Sequence, residues 1–162
     1  TYKTDYVCVF LDLVTQIKDF VQVKGSGTLA NTIEFSVNRL NEMAKTENVC
    51  FVSVAQLNRE TDKVKVTKID DIEQYRPTLN QVKNSSALGE RSRVVLSVFR
   101  PKYYAERLFP DDENVDLMED VMEIQVLKQN QGAAGMVKKY LFDGKCFQMK
   151  PFIEEETPEI NY

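Results

Sequence analysis

The sequence contains no histidine, and this absence excludes several kinds of chemistry. Without an imidazole group the chain has no Ser-His-Asp triad, no Cys-His dyad, no histidine zinc motif and no histidine general base. Phosphoryl transfer is not excluded, because Mg²⁺, lysine and glutamine can carry it.

Long apolar runs are also absent. The run from Val7 to Leu11 ends at Asp12 and is too short for a membrane span or a signal-peptide core, so we expect no membrane association. The three cysteines, Cys8, Cys50 and Cys146, lie far apart among strand-like residues and form no CxxC pair. This pattern predicts buried, reduced thiols and a cytosol-like setting rather than disulfides or zinc.

Neither sign of charge dominates the chain. Its 162 residues include 21 basic and 25 acidic side chains, which give a net charge of −4. This balance argues against nucleic-acid binding through bulk charge and leaves room for a local basic site. The hydrophobic share of 43% predicts one globular domain. Because the first residue is Thr1 rather than Met, we expect a fragment or a processed product.

The first third of the chain has the pattern of two parallel strands joined by a helix. The segments Tyr6–Asp12 and Val49–Ala55 are almost wholly apolar, as in strands that are buried on both faces. Between them, Asn31 and Glu34 form a capping box that predicts a helix start. Strand, helix and strand in close succession indicate a βαβ crossover.

The rest of the chain predicts more strands. Residues 94–99 form a third buried strand, 121–127 form a fourth, and 136–142 pair with 146–149 in a terminal hairpin. A short helix is expected over 85–92, a polar segment without a clear period over 58–84, and an acidic excursion over 101–120. The expected fold class is therefore α/β, with a mostly parallel sheet and a terminal antiparallel hairpin.

Three motifs lack the flanking sequence that their usual function requires. Gly25-x-Gly27-x-x-Ala30 follows a charged segment rather than a buried strand, so a loop that leads into a helix is favoured over a dinucleotide site. Gly144-Lys145 is the only Gly-Lys pair and falls in the hairpin turn, which leaves no phosphate-binding loop. The carboxylates within 111–119 lack the glycine and the spacing of a calcium loop, so a solvated loop is favoured.

Asp12 and Gln56 each follow a predicted parallel strand. The carboxyl ends of parallel strands meet at one edge of the sheet, where ligands of α/β proteins bind. Alone, Asp12 is as compatible with a loop cap as with a Mg²⁺ site. A glutamine on the same edge can bond a phosphate or a water, and together the two side chains favour catalysis.

Several motifs resemble, in the same order, those of DnaB-type replicative helicases. Ala55–Arg59 resembles the family's SQLNR, and Val9–Asp12 resembles its Walker B strand. Further matches are Arg76-Pro77 and Val82–Leu88 with RP…LRESGSI, Val94–Tyr104 with the strand that ends in YRDEYY, and Lys128–Gly135 with KQRNGPTG. The resemblance covers roughly residues 6 to 150.

The resemblance implies a RecA-like P-loop NTPase fold and a ring-forming DNA helicase. Residues 1–150 would be the C-terminal part of its ATPase domain, without the P-loop, and 151–162 an acidic tail. The intact protein would use ATP, or another NTP, with Mg²⁺ to move along single-stranded DNA as a hexamer. Primase and a helicase loader are its expected partners, and the bacterial or phage-infected host cytoplasm its expected location.

The resemblance also implies roles for individual residues. Asp12 would hold Mg²⁺, Gln56 would sense the γ-phosphate, and Lys128 would reach the neighbouring subunit's γ-phosphate. Lys83, Asn84 and Ser86 would line the DNA-binding loop, and Arg100 and Phe142 would stack the nucleotide base between them.

Asn130 stands where the family has its finger arginine. An asparagine supplies no charge to the transition state, and loss of an arginine finger can cost on the order of 10³ in rate. Lys128 alone, or another cation such as Lys138 or Lys139, would then have to take the place of the finger arginine. The alternative is a non-catalytic RecA-like relative that binds DNA or forms rings. A strand-exchange or clock ATPase is disfavoured, because it does not explain the motifs at Ala55–Arg59 and Lys128–Gly132.

Overall fold

The computed structural model describes residues 7–13, 29–58, 65–82 and 86–153. The strands are β1 (Val7–Leu11), β2 (Val49–Ser53), β3 (Val94–Phe99), β4 (Val121–Gln129), β5 (Val137–Asp143) and β6 (Gln148–Pro151). The helices are α1 (Leu29–Thr46), α2 (Ser86–Arg91), α3 (Pro101–Leu108) and α4 (Glu113–Leu117), with 3₁₀ helices at Ile69–Tyr75 and Leu79–Gln81. None of the described helices is long and apolar enough to cross a membrane.

Strands β1 and β2 pair in parallel, as predicted. Their register runs from Val7 opposite Val49 to Leu11 opposite Ser53, with α1 as the crossover. The pairing continues past the end of β2, where the Val54 backbone N–H donates to the Leu11 carbonyl oxygen at 2.9 Å. Helix α1 begins before Asn31, so the predicted cap residue lies inside the helix.

Strands β3 to β6 form an antiparallel sheet in the order β3-β4-β5-β6. The predicted terminal hairpin is confirmed as β5 and β6, and the α/β class is confirmed as well. The antiparallel part is larger than the expected hairpin, because the predicted acidic excursion folds into α3 and α4 and reverses the chain between β3 and β4. Proline at the first position starts α3, and Asp112 caps α4 by accepting a hydrogen bond from the Asn114 N–H at 2.9 Å.

Two small cores hold these elements together. The first joins α1 and α2 to one face of β1 and β2, and its buried members are Ile33, Val37, Leu40 and Leu88. The second lies between β3, α3, α4 and the longer 3₁₀ helix, and its buried members are Ile72, Tyr75, Phe99, Ala105 and Val115. Each sheet is therefore covered on one face by the described helices.

The other faces remain open, which corrects two expectations. Val94, Leu96 and Val98 of β3 are more than half exposed, although the sequence predicted a strand buried on both faces. The three cysteines, predicted to be buried, are exposed. In both cases the residues lie on strands or beside them, as expected. No described element packs on the sheet face that carries them.

A register shift in the β3–β4 pair decides which way the end of β4 faces. Val95 lies opposite Lys128, whereas the next residue, Leu96, lies opposite Val126, so β4 carries an extra residue between these partners. Ordinary alternation would place Lys128 on the open face with Val126. The extra residue places it instead on the covered face with Gln125.

Candidate nucleotide-binding and DNA-coupling site

Asp12 and Gln56 follow neighbouring parallel strands at the same edge of the sheet, as the sequence predicted. Asp12 comes directly after β1 and is exposed, and the peptide bond that follows it is cis. Gln56 follows β2 shortly after its end and is also exposed. Both polar side chains are thus open to a ligand at this edge.

The segment after Gln56 is tied to the chain that precedes the predicted DNA-binding loop. Leu57 and Val82 form an antiparallel bridge, and the Asn58 N–H donates to the Gln81 carbonyl oxygen at 2.7 Å. Gln56 is therefore adjacent in sequence to a residue that hydrogen bonds fix beside Val82.

The three predicted DNA-binding residues lie at the limit of what the structure describes. Lys83 and Asn84 are outside the described residues. Ser86 is the first residue of α2, and its side chain is outside the described part. On the upstream side, the Thr78 N–H donates to Oε1 of Gln81 at 2.8 Å, which orders the short 3₁₀ helix that leads to Val82.

Lys128 caps helix α2. Its ammonium group donates to the carbonyl oxygens of Gly89 at 2.8 Å and Glu90 at 2.5 Å. These carbonyls belong to the last turn of α2, where a helix lacks internal donors and favours positive charge. The predicted contact with a neighbouring subunit would have to compete with these bonds.

Asn130 follows β4 and is exposed. Its backbone N–H donates to the Arg93 carbonyl oxygen at 3.0 Å, which extends the β3–β4 ladder by one step. Its amide side chain is accessible but uncharged, so it can donate a hydrogen bond and cannot replace a guanidinium group.

Arg100 and Phe142 lie together, as predicted, but contact each other directly. The guanidinium carbon is 4.7 Å from the ring centroid, whereas a base between the two groups would need roughly 7 Å, twice an ordinary ~3.5 Å contact. Nε and Nη2 of Arg100 also donate to Asp120 at 2.6 and 2.5 Å, and this pairing raises the pKa of Arg100. Stacking of a base between them would require the two groups to separate.

Arg76 of the Arg-Pro motif is a structural anchor. It pairs with the buried carboxylate of Glu123 on β4 at 2.8 Å, binds Glu73 at 3.3 Å, and lies over the Phe99 ring at 5.5 Å. These contacts fasten the longer 3₁₀ helix to the antiparallel sheet. Arg76 is thus engaged within the chain rather than presented to a phosphate.

The residues at the strand edge fit a Mg²⁺ ion that the protein and a bound nucleotide hold together. Mg²⁺ in such complexes takes one or two protein carboxylates, with phosphates and waters as the remaining ligands. The exposed Asp12 supplies one carboxylate, and the described residues contain no group of three or more His, Cys, Asp or Glu that could enclose a metal by themselves. Asp12 would therefore hold the ion together with a bound nucleotide.

Two contributors to this region were missed by sequence reasoning. Asp120 is the partner of Arg100, and its only signal was its position directly before a predicted strand. The bridge between Leu57 and Val82 joins two segments that are distant in sequence, and neither has a strand pattern. A side-chain inventory could not have found a backbone contact of this kind.

The chain is similar to known proteins in its fold and in its family. Comparison with curated proteins by sequence finds no match. Among solved structures, one described as an ATPase domain superposes with a TM-score of 0.71 at 18% identity, over 91% of this chain and 45% of that chain. A second, described as a DnaB-like replicative helicase and its interactions with primase, has the same TM-score and identity, over 91% of this chain and 30% of that one.

The chain thus spans less than half the length of these structures, and at this identity they show the RecA-like helicase ATPase fold alone. The family model described as the DnaB-like helicase C-terminal domain matches residues 2–150, which is nearly the whole chain. The chain belongs to the family of DnaB-like helicase C-terminal domains.

Proposed function

We propose that this chain is the C-terminal part of the RecA-like ATPase domain of a ring-forming replicative DNA helicase. In the intact protein, hydrolysis of ATP or another NTP with Mg²⁺ would drive movement along single-stranded DNA through a hexameric ring. The supporting observation is the arrangement of Asp12 and Gln56 at one strand edge, together with the bridge that joins Leu57 to Val82.

In this proposal Asp12 holds the Mg²⁺ that is bound to the nucleotide. Gln56 contacts the γ-phosphate, and any shift of its backbone passes through Leu57 to Val82, the residue before Lys83. Lys83, Asn84 and Ser86 bind the DNA backbone, for which one cation with small polar partners is suited, because phosphate contacts carry no sequence information. Primase and loader contacts are part of the same proposal.

Lys128 is proposed to reach the neighbouring subunit's nucleotide, and Arg100 with Phe142 to bind the base. Both roles require contacts seen in the structure to open: the bonds from Lys128 to α2, and the stack of Arg100 on Phe142. A change of contacts on assembly or nucleotide binding is thus part of the proposal.

The deciding experiment measures ATP hydrolysis by the intact protein, with and without single-stranded DNA. D12N should lower turnover by roughly 100-fold or more under both conditions, the scale seen when one charge-stabilising group is lost. Q56A should retain most of the basal rate and lose the stimulation by DNA. D111N, which changes an exposed carboxylate far from the strand edge in sequence, is the matched control and should behave as wild type.

An alternative is a ring-forming or DNA-binding relative without hydrolysis, and the uncharged Asn130 is the observation that favours it. This alternative predicts no DNA-stimulated turnover in the intact wild-type protein and predicts that N130R restores some. Robust wild-type turnover that N130R leaves unchanged would exclude it and would show that another cation serves as the finger.

A further inference from the structure

Lys128 ties helix α2 to the antiparallel sheet. Its ammonium group, at the end of β4, donates to the carbonyl oxygens of Gly89 at 2.8 Å and Glu90 at 2.5 Å. An ammonium group has three donors, and two of them are used here on carbonyls that a helix end leaves without internal partners. The positive charge also opposes the negative end of the helix. Lys128 therefore stabilises α2 in its position beside β4.

Helix α2 begins within the proposed DNA-binding segment. Its first residue is Ser86, and Lys83 and Asn84 precede that residue by three and two positions. With six residues the helix has fewer than two turns. Helices of this length are not stable by themselves in water, so α2 depends on its packing and on its caps. A change at the last turn of α2 can therefore reach Ser86.

The last turn of α2 also contacts the chain that leads into the same segment. Gly89 is buried and lies so close to the short 3₁₀ helix that a Cβ there would be 3.3 Å from Cδ1 of Leu79. That 3₁₀ helix continues to Val82, which forms the antiparallel bridge with Leu57 and packs against the first core. By holding Gly89, Lys128 keeps the two ends of the proposed DNA-binding segment together.

The other polar contacts of this turn are longer. Nη2 of Arg91 donates to Glu34 at 3.2 Å, and Nδ2 of Asn41 donates to the Arg91 carbonyl oxygen at 3.5 Å. Charged hydrogen bonds of shorter length are the stronger ones. All these contacts join described residues directly, so none of them depends on a sheet face being open. Lys128 is thus the strongest polar restraint on α2 within the described part of the chain.

We infer that Lys128 is a positioning residue for DNA binding in its own subunit: by holding the last turn of α2, it keeps Ser86 and the residues before it placed to bind the DNA backbone. This inference rests on the proposed function. It adds a role that is separate from the proposed contact of Lys128 with the neighbouring subunit's nucleotide, because the bonds to α2 involve no nucleotide.

Loss of the cap should weaken DNA binding without removing a DNA contact. When a binding-competent conformation is only partly populated, the apparent affinity falls in proportion to its population. We expect the dissociation constant for single-stranded DNA to rise by about tenfold, which corresponds to 1.4 kcal/mol. This is near the lower end of what hydrogen bonds to a charged group contribute.

The test measures the binding of fluorescently labelled oligothymidylate to the intact protein by anisotropy. It is done at low ionic strength, which strengthens phosphate contacts, without nucleotide and with a non-hydrolysable ATP analogue. K128M should raise the dissociation constant by about tenfold under both conditions. K128R keeps donors for the two carbonyls and should retain most of the affinity. K45M, the same change in the last turn of α1, is the control and should stay within about twofold of wild type.

A second variant tests whether Lys128 acts through α2. E90R places a positive charge in the last turn of that helix, which favours the helix. It should increase the DNA affinity of K128M by a larger factor than that of wild type, because the two residues act on the same helix. The comparison of the two backgrounds removes the general gain that an added positive charge brings. Hydrogen exchange of the α2 amides should be faster in K128M and slower again in K128M/E90R.

Three outcomes would overturn the inference. The first is equal DNA affinity of K128M and wild type. The second is a loss that occurs only with the ATP analogue, which would belong to the nucleotide contact alone. The third is an equal gain from E90R in both backgrounds. A wild-type protein that binds no DNA under either condition would instead refute the proposed function, and the inference with it. Circular dichroism of each variant establishes that the protein is folded.

Discussion

The ammonium group of Lys128 donates a hydrogen bond of 2.8 Å to the carbonyl oxygen of Gly89, in the last turn of α2. A residue at the end of one sheet thereby holds the helix that follows the predicted DNA-binding loop. The side chain that the family resemblance assigns to a neighbouring subunit already has a structural role within this chain.

We predict that K128M destabilises the chain, because it removes two charged hydrogen bonds to α2. The free energy of unfolding should fall by about 1.5–3 kcal/mol, the usual range for hydrogen bonds to a charged group. Urea denaturation measures it. K138M, at an exposed lysine of β5, is the control and should change stability by less than about 0.5 kcal/mol. Equal losses in the two variants would contradict the capping role.

The buried pair of Arg76 and Glu123 predicts a strongly non-additive result. R76M leaves the Glu123 carboxylate buried without its partner, which should cost about 3–5 kcal/mol. E123L in addition removes that charge, so the double variant should be more stable than R76M alone. Thermal or urea unfolding of the wild type, R76M, E123L and the double variant measures this non-additivity. A double variant less stable than R76M would mean that the pair is not the reason for the loss.

Arg100 and Asp120 should show a measurable but modest coupling energy. Their side chains are 26% and 25% exposed, so solvent screens the pair, and we expect about 1 kcal/mol from a cycle of R100M, D120N and the double variant. The matched control is the pair of Arg39 and Glu42, whose side chains are 56% and 66% exposed. Its coupling should be smaller, and an equal or larger value would contradict the ranking by burial.

The turn between β5 and β6 should weaken in acid. A hydrogen bond from the backbone N–H of Lys145, at 2.9 Å, together with the Cys146 thiol, lowers the pKa of Asp143. A lowered pKa gives stability that is present above the unfolded-state value and is lost as the pH falls through the folded-state value, here below about pH 4. The Lys145 amide resonance should shift in that window. The same shift in D143N would exclude Asp143 as its source.

We predict that substitution of Ser97 by alanine costs almost no stability. Its hydroxyl is buried in the antiparallel sheet and has no hydrogen-bond partner within the described part of the chain; nor does Oε1 of Gln125, which lies opposite it. S97A removes a polar atom that is already unpaired, so stability should stay within about 0.5 kcal/mol or rise. A loss above about 1 kcal/mol would show that the hydroxyl has a partner, such as a buried water.

Local patterns predicted most of the secondary structure. Apolar runs located β1 to β3, alternation of apolar and polar residues located β4, and the Asp143-Gly144 turn located the terminal hairpin. Such patterns are informative because strand and turn propensities act over a few neighbouring residues. Helices α3 and α4 were missed, since the charged segment from Pro101 to Asp120 has short helices whose apolar contacts lie in a core assembled from distant segments.

Part of the candidate site was likewise predicted from local patterns, and part was not. Asp12 and Gln56 were predicted together because parallel strands have a common edge. The contact of Lys128 with α2 was not predicted, since it depends on a register shift that no residue type in the sequence indicates. The exposure of Cys8 and Cys50 was also missed, because strand composition does not reveal which faces are covered.

The register shift in β4 makes the chain tolerant of the loss of one residue from this strand. Removal of Leu127, a single-codon deletion, would take out the extra residue, and Lys128 would then follow Val126 directly, opposite Val95 and on the covered face. Its bonds to Gly89 and Glu90 would be kept, so α2 would keep its cap. At this point the strand can change its number of residues without changing which partner the lysine meets.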